Sequence, residues 1–483
     1  MTVLDVAIVG AGPAGLAAAT LCAEHGLSTS LYDEQGAPGG QVYRGITASP
    51  LARTEILGDD YWLGAALLQP FARSGARYVP NATVWAFARR PDGTHCLSIT
   101  AGPLAARHSI AVAARAVIFA TGALERPMPI PGWTLPGVLT AGGAQILLKT
   151  AGVVPRGRTV LAGCGPLLWL AAWQLRRAGV EIAAMLDTTP RRRLAQVLRH
   201  APGFVRSPYF AKGVALTRTV RRHTRVVEYV TTLAVEGASA AEAVRFVADG
   251  VAQTLAADVV LLHQGVVPDV NLASAAGCAL AWDESQACFA PVTDEWGGTT
   301  VPGLFIAGDG AGIVGAAAAP VRGRLTALAV ANALGRIDGR ARDRAAQPLR
   351  RVLAHAMRGR RFLDALYRPA DSFRIPAGDT LACRCEEVPA EAIAQLAREG
   401  CAGPNQMKAF IRCGMGACQG RFCGLTVTEI LARIQRRSPA DVGYYRLRFP
   451  VKPVSLGDLA AMPVTEEAEC AVVRTPRQPA ATK

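Results

Sequence analysis

The chain has 483 residues, 51% of them hydrophobic, and a net charge of +15 at neutral pH. That length implies two to four domains with large cores, and the composition excludes a disordered chain. The charge is mostly scattered arginine, and its densest stretch, Arg336 to Arg361, contains no aromatic residue, which argues against the basic-aromatic face of a nucleic-acid binder and leaves a solvated segment or docking to an acidic partner or membrane surface.

The chain opens almost at once into an apolar run, Val6–Val9, suited to a buried parallel strand. No leader pattern precedes it. No apolar run reaches the roughly 20 residues that span a bilayer, since the Ala-rich stretch Gly308–Gly335 is broken by Arg322 and Arg324. The expectation is a cytoplasmic protein, with peripheral attachment to the inner membrane face open. After the first strand come Gly10-Ala11-Gly12-Pro13-Ala14-Gly15, a helical run and a short strand, Ser28–Tyr32, ending at Asp33-Glu34. Strand, G-x-G-x-x-G, helix, strand and acid in this order make a dinucleotide site. Gly10 allows the tight turn, Gly12 lets a pyrophosphate approach the backbone, and Gly15 lets helix and strand pack closely. The helix N-terminus offers N–H groups and partial positive charge to the phosphates. Asp33 is placed for the ribose hydroxyls, with Glu34 the neighbouring alternative.

Two later segments resemble the second and third nucleotide motifs of two-dinucleotide-domain flavoproteins. One is the strand Ala116–Ala120, ending in Thr121-Gly122. The other is Leu304–Ala307, ending in Gly308-Asp309 before a small-residue helix. The resemblance implies FAD rather than NAD. It gives Asp309 the ribitol chain and directs the following helix N-terminus at the flavin pyrimidine ring. Asp309 as a plain helix N-cap is the bland alternative.

A second strand-turn-helix-strand unit begins at Arg158–Gly163 and reaches Leu186-Asp187, with Gly163-Cys164-Gly165-Pro166-Leu167-Leu168 as its turn. Leu168 stands where the third Gly belongs. NAD(P), another adenine nucleotide and an empty relic all remain open for this unit. After Asp258–Gln264 the chain returns to the first domain. No C-x2-C or C-x4-C pair lies near Pro38–Arg44 or Cys164, which argues against thiol–disulfide chemistry at the flavin. The seven histidines are scattered and are read as structural or solvated.

Six of the twelve cysteines fall between Cys383 and Cys423. Cys383-Arg384-Cys385 opens this module, helical runs follow at Ala390–Arg398 and Asn405–Arg412, and Cys413-Gly414-Met415-Gly416-Ala417-Cys418-Gln419-Gly420-Arg421-Phe422-Cys423 precedes a helix from about Leu425 to Arg436. Two close thiolate pairs can converge on one metal centre, and the glycines free backbone N–H groups for cluster sulfurs. C-x-C with C-x4-C suits zinc less well than C-x2-C would, so a [2Fe–2S] cluster is expected, on Cys383, Cys385, Cys418 and Cys423. Cys413 is the reserve ligand.

The segments ATGALERPMPIPGWTLPGVLTAGGAQ (Ala120–Gln145), GGQVYRG (Gly39–Gly45) and CRCEEV…GPNQMKAFIRCGMGACQGRFCG (Cys383–Gly424) resemble one family. It comprises the FAD-binding subunits of heteromeric amine and imino-acid dehydrogenases: opine oxidase A subunits, hydrogen cyanide synthase B subunits, the α subunits of dye-linked L-proline and D-hydroxyproline dehydrogenases, and more distantly sarcosine oxidase α subunits. The resemblance implies an α/β, glutathione-reductase-like two-dinucleotide-binding-domain flavoprotein with a small helical bacterioferritin-associated-ferredoxin-like [2Fe–2S] domain. It adds Pro13, Ala14, Gly40, Gln41, Arg44, Thr121, Gly122 and Gly308 to the cofactor contacts. It also implies a β subunit of the D-amino-acid-oxidase type, a downstream electron acceptor and a small third subunit. The expected domains are 1–155 plus 288–340 for FAD, 156–287 for the second dinucleotide fold, a linker at 341–376, the cluster domain at 377–455 and a partly disordered tail at 456–483. The competing functions are a self-contained NAD(P)H-dependent reductase and an iron-responsive carrier.

Overall fold

The computed structural model describes residues 3–51 and 56–462. Most of the expected tail, from 463 onward, lies outside the described residues.

The first apolar run becomes the strand Val3–Val9, which pairs in parallel with Thr29–Tyr32 on one side and with His108–Phe119 on the other. Arg77–Val79 extends the sheet beyond Thr29–Tyr32, and Leu304–Ile306 lies beside the last residues of His108–Phe119, both in parallel. A parallel sheet must be covered on both faces, so its strands read as continuous apolar runs. Val6 and Ile8 face a core shared with Leu16, Ala18, Ala327 and Val330, while Ala7 and Val9 face Val84, Leu97 and Leu272. The first half of His108–Phe119 pairs instead with the antiparallel excursion Thr83–Arg89 and His95–Ala101. The C-terminal ends of the parallel strands therefore gather at one edge, where open α/β sheets place their ligands. Behind that edge the helices Pro13–Glu24 and Ala319–Ala333 pack through small residues. A side chain at Gly323 would overlap the carbonyl of Ala14.

The second unit is a parallel sheet in the order Val226–Val227, Ile182–Asp187, Thr159–Cys164, Val259–Gln264 and Val138–Thr140. The three-stranded antiparallel layer Val230–Glu236, Ala243–Ala248 and Val251–Ala256 covers it. This corrects the expected boundaries. Val138–Thr140 pairs with Val260–Leu262, so the unit begins well before residue 156. Leu272, Ala273 and Cys278 pack in the first unit's core, so the return crossing lies near residue 265, directly after the strand ending at Gln264, and the domain bound at 287 is too late. At the two crossings Ala123–Glu125 pairs antiparallel with Val266–Pro268.

Residues 341–376 are not a simple linker. Asp338 caps a helix over Gly339–Met357 by accepting the N–H of Ala341, and the guanidiniums of Arg342 and Arg350 stack on Trp296 at 4.3 and 4.6 Å. Arginine stems cover apolar surface while their heads stay hydrated, and Ala346, Leu349 and Leu353 of the same helix pack beside Trp296, Leu325 and Leu328. Shorter helices at Arg360–Leu366 and Asp371–Arg374 follow.

In the cysteine module, helices at Ala390–Arg398, Pro404–Ile411 and Gly424–Gln435 surround a core of Ile393, Met407, Val427, Leu431 and Tyr445. The module is fastened to the rest of the chain by the Trp133 indole N–H donating to the Leu381 carbonyl at 2.9 Å and by a buried Arg374–Glu429 ion pair. Asn271 Nδ2 adds a bond to the Gln419 carbonyl at 3.1 Å.

Candidate flavin site and cysteine centre

A cavity of about 1210 Å³ opens at the strand ends, above the usual range for a small-ligand pocket. Gly10, Gly12, Pro13, Ala14, Asp33, Glu34, Gly40, Gln41, Arg44, Thr121, Gly122 and Asp309 all line it. Gly15 and Gly308 do not; they serve packing. A Cβ at Gly15 would overlap the Gly10 carbonyl oxygen, and one at Gly308 would lie 2.7 Å from Ala14 Cβ. Gly10 has φ +104 and Gly40 φ +60, and a Cβ on Gly40 would meet Gly12 Cα at 2.7 Å. The two glycine turns thus touch, and only bare backbone fits between them.

Asp33 braces the turn: its Oδ2 accepts the Ala11 N–H at 2.5 Å and its Oδ1 the Gln35 N–H at 2.8 Å. Burial pushes its carboxyl pKa up, against those two bonds. Glu34, one residue on, also lines the cavity, and its carboxylate pairs with Lys452. Asp309 does not cap the long helix, which starts ten residues later at Ala319. Its Oδ1 accepts the Val314 and Gly315 N–H groups at 2.8 and 2.9 Å, which holds the carboxylate on the cavity wall. Arg44 Nε is buried and has no hydrogen-bond partner among the described residues, which suits an anionic oxygen from a bound group. Bare glycine turns, a helix N-terminus, a fixed carboxylate and an orphaned guanidinium nitrogen together fit a dinucleotide such as FAD.

Two buried polar groups on the same cavity were missed by sequence reasoning. His263 Nδ1 lies 2.5 Å from Glu125 Oε1, and Glu125 also accepts the Gly142 N–H at 2.9 Å. His263 is therefore neither isolated nor solvated; it ties the second sheet to the crossing strand. Nothing local marks a pair 138 residues apart. Lys149 is 4% exposed and donates to Gln145 Oε1 at 2.9 Å and to the Val42 carbonyl at 3.0 Å. It thereby holds the turn that carries Gly40 to Arg44. Its spacing of four from Gln145 on one helix was a legible signal.

Burial pushes the Lys149 amine from its ordinary 10.5 down to about 7. Between those values the unfolded chain binds a proton that the folded chain does not. The group's contribution to stability therefore rises with pH across that window and is lost as pH falls to 7. Thermal denaturation from about pH 7 to 10 should show Lys149→Met with a flatter rise than wild type; a variant keeping the full wild-type slope would refute the assignment.

The second unit repeats the glycine turn, with Gly163 at φ +136 and Gly165 at φ +115. Leu168 is fully buried against Leu161 and Leu261, filling the space a third glycine would leave. The far end of this site carries the chain itself. Cys164 Sγ lies 3.5 Å from the Tyr367 carbonyl, and the half-buried Tyr367 phenol lies beside Asp187 and Trp169. Asp187, at the ribose-reading position, instead accepts the Thr189 N–H at 2.8 Å.

In the cysteine module, the sulfurs of Cys383, Cys413 and Cys423 lie within 4.8 Å of one another, all buried. Bonds from the Cys413 and Cys423 thiols hold Cys383 well below the ordinary thiol range. Cys385 is exposed and Cys418 partly so, and these two side chains face each other. Cys413 is thus not a remote buried thiol: it stands inside the group, with Tyr445 Oη donating to its carbonyl at 3.0 Å. The Cys401 thiol lies apart from this group and donates to the Gly403 carbonyl at 3.6 Å. Gly416 has room for no side chain, since a Cβ would overlap Cys385 Cβ. A set of converging soft thiolates with bare backbone around them fits an iron–sulfur cluster. No helix among the described residues is long and apolar enough to cross a membrane.

The profile of the pyridine nucleotide-disulphide oxidoreductases matches residues 4–333, and that of the sarcosine oxidase A3 domain residues 381–463. An opine oxidase A chain from Agrobacterium tumefaciens (strain Ach5) is 48% identical, over 97% of this chain and 93% of its own. Hydrogen cyanide synthase subunit HcnB of Pseudomonas protegens is 30% identical, over 93% and 96%. Among solved structures, an L-proline dehydrogenase from P. horikoshii shares the fold, with a TM-score of 0.69 at 20% identity over 95% of this chain and 79% of that one. With its two dinucleotide units and its cysteine module both matched, the chain belongs to the pyridine nucleotide-disulphide oxidoreductase family, in the group that contains the opine oxidase A subunits and HcnB.

Proposed function

We propose that this chain is the electron-transferring flavoprotein subunit of a heteromeric dehydrogenase that oxidises a C–N bond of an amino acid, imino acid or opine. The observation that carries it is the turn Asp269–Asn271. On one side the Asp269 N–H donates to the Gly122 carbonyl at 3.0 Å, at the flavin cavity. On the other, Asn271 bonds Gln419 in the cysteine loop, and Arg421 and Phe422 of that loop line the cavity. The two candidate centres are therefore neighbours. FAD bound here would accept an electron pair and release electrons singly to a [2Fe–2S] cluster. Gly10, Gly12, Gly40 and Arg44 would hold the pyrophosphate, Asp33 or its neighbour Glu34 the ribose, and Asp309 the ribitol chain. Cys383, Cys385, Cys418 and Cys423 would hold the cluster, with Cys413 as the spare donor. The relatives are named as subunits, which supports a separate substrate-oxidising subunit, read as a D-amino-acid-oxidase-type flavoprotein. Tyr367 in the second unit's ribose region and Leu168 in its turn speak against the NAD(P)H-reductase alternative.

The isolated, FAD-loaded chain, mixed anaerobically with proline, hydroxyproline, an opine or NADH, is expected to keep its flavin oxidised. Co-expression with its partner subunit should give dye reduction with one of the amines. Rapid bleaching of the isolated chain by an amine would overturn the division of labour, and bleaching by NADH would restore the reductase.

A further inference from the structure

We propose that Val451 and Lys452, on the segment that follows the cysteine module, are binding residues for the adenosine half of the flavin cofactor; the inference rests on the flavin reading above. The chain leaves the module's core at Leu447, and by Val451 it is part of the first unit. The Val451 N–H donates to the Trp85 carbonyl at 3.1 Å. Its side chain is 2% exposed and packs in the core that holds Ala82 and Val84. All three residues reach the cavity wall on the side of Tyr32 and Glu34, where a dinucleotide fold seats its adenosine.

The neighbouring acid gives Lys452 its role. Each oxygen of Asp33 accepts one backbone N–H, from Ala11 and from Gln35, and keeps a second lone pair. Glu34, next in the chain and also on the cavity wall, adds a second carboxylate at the end of this strand that can accept ribose hydroxyls. Its side chain is 44% exposed, and the ammonium of Lys452, whose side chain is 27% exposed, pairs with it. An exposed glutamate samples several rotamers, and a ligand that needs one of them must bear the ordering cost. Lys452 removes part of that cost in advance, and an ammonium has three donors, so pairing with Glu34 leaves others for the ligand. Val451 supplies the apolar surface beside the base. One wall of the flavin pocket thus comes from residues downstream of the last cysteine of the module.

The test uses full-length chain stripped of flavin and titrated with FAD by fluorescence quenching. Lys452→Met should weaken FAD binding about fivefold, as expected for loss of a partly exposed ion pair at a ligand. Val451→Ser should weaken it about tenfold through lost apolar contact. The double variant Glu34→Gln/Lys452→Met should bind no worse than the weaker single variant, because both residues serve one ribose. The melting temperature of the flavin-free protein and the cluster absorbance should not move in Lys452→Met, which a merely structural role would not allow. Wild-type affinity in both Lys452→Met and Val451→Ser would overturn the inference alone. A wild-type chain that takes up no FAD would overturn the flavin reading and this inference with it.

Discussion

A chain carrying Gly12→Val should fold normally and hold almost no flavin. The glycines of the nucleotide loops are not equivalent. A side chain on Gly15 would overlap the Gly10 carbonyl, and one on Gly40 would press on Gly12 Cα from a left-handed backbone; substitution at either damages the fold along with the site. At Gly12 the nearest protein atom to an added Cβ is Gly40 Cα at 3.8 Å, an ordinary contact. The residue caps the Pro13–Glu24 helix in an extended conformation, φ −74, that valine tolerates. Its methyl groups would stand in the cavity where the pyrophosphate must approach the backbone. Overpacking of this kind costs about 3 kcal/mol, or about a hundredfold in FAD affinity. The purified variant should be nearly free of yellow absorbance while melting within a few degrees of wild type. Asp309→Ala should also lose flavin, with some loss of stability, because its carboxylate holds the Val314 and Gly315 N–H groups. Full flavin retention by both variants would remove the site from this cavity.

The second large effect lies in the cysteine module. A thiolate ligand replaced by serine offers a harder oxygen donor, and an iron–sulfur cluster is lost or its spectrum shifted. A cysteine that only packs tolerates serine at the cost of a small mismatch. Cys383→Ser, Cys385→Ser, Cys418→Ser and Cys423→Ser should each abolish or alter the reduced-state EPR signal. Cys413→Ser and Cys401→Ser should leave it in place, and FAD content should survive in every one of these variants. The structure sharpens the decisive comparison. Cys413 stands within 4.8 Å of both Cys383 and Cys423, so it is the thiol best placed to replace a ligand without rearranging the loop. Should Cys413→Ser lose the cluster while Cys423→Ser keeps it, the fourth ligand is Cys413. Zinc in anaerobically purified protein would remove the relay altogether.

Most of the first nucleotide unit is legible in the sequence, because its chemistry is written in local spacing. Gly10 to Gly15, the strand before them and the acids after them fall within one short stretch, and each has a single physical reason to be there. The same logic does not say which of two adjacent acids turns inward to bond the Ala11 N–H, a place the fold gives to Asp33. The domain boundaries slip for a related reason. Val138–Thr140 is a very short strand, and its membership in the second sheet is decided by pairing with Val260–Leu262, which leaves no periodic signal. The segment 341–376 reads as a linker because its charge hides its docking; stacking of Arg342 and Arg350 on Trp296 is a tertiary fact. Cys413 reads only as a reserve ligand because thiols at irregular spacing can be sorted only once the loop is folded. Glu125 and His263 lie beyond reach, being joined across the whole second unit.

The turn at Asp269–Asn271 fixes more than proximity. Where a flavin and an iron–sulfur centre sit on separate proteins, every electron handed between them requires an encounter, and throughput falls as the solution is diluted. Here both candidate centres are carried by one polypeptide and braced through one short turn. Under the proposed function, the handover is a first-order event with an effective concentration set by geometry rather than by abundance. What remains sensitive to dilution is only the meeting with the protein that supplies electrons and the acceptor that removes them.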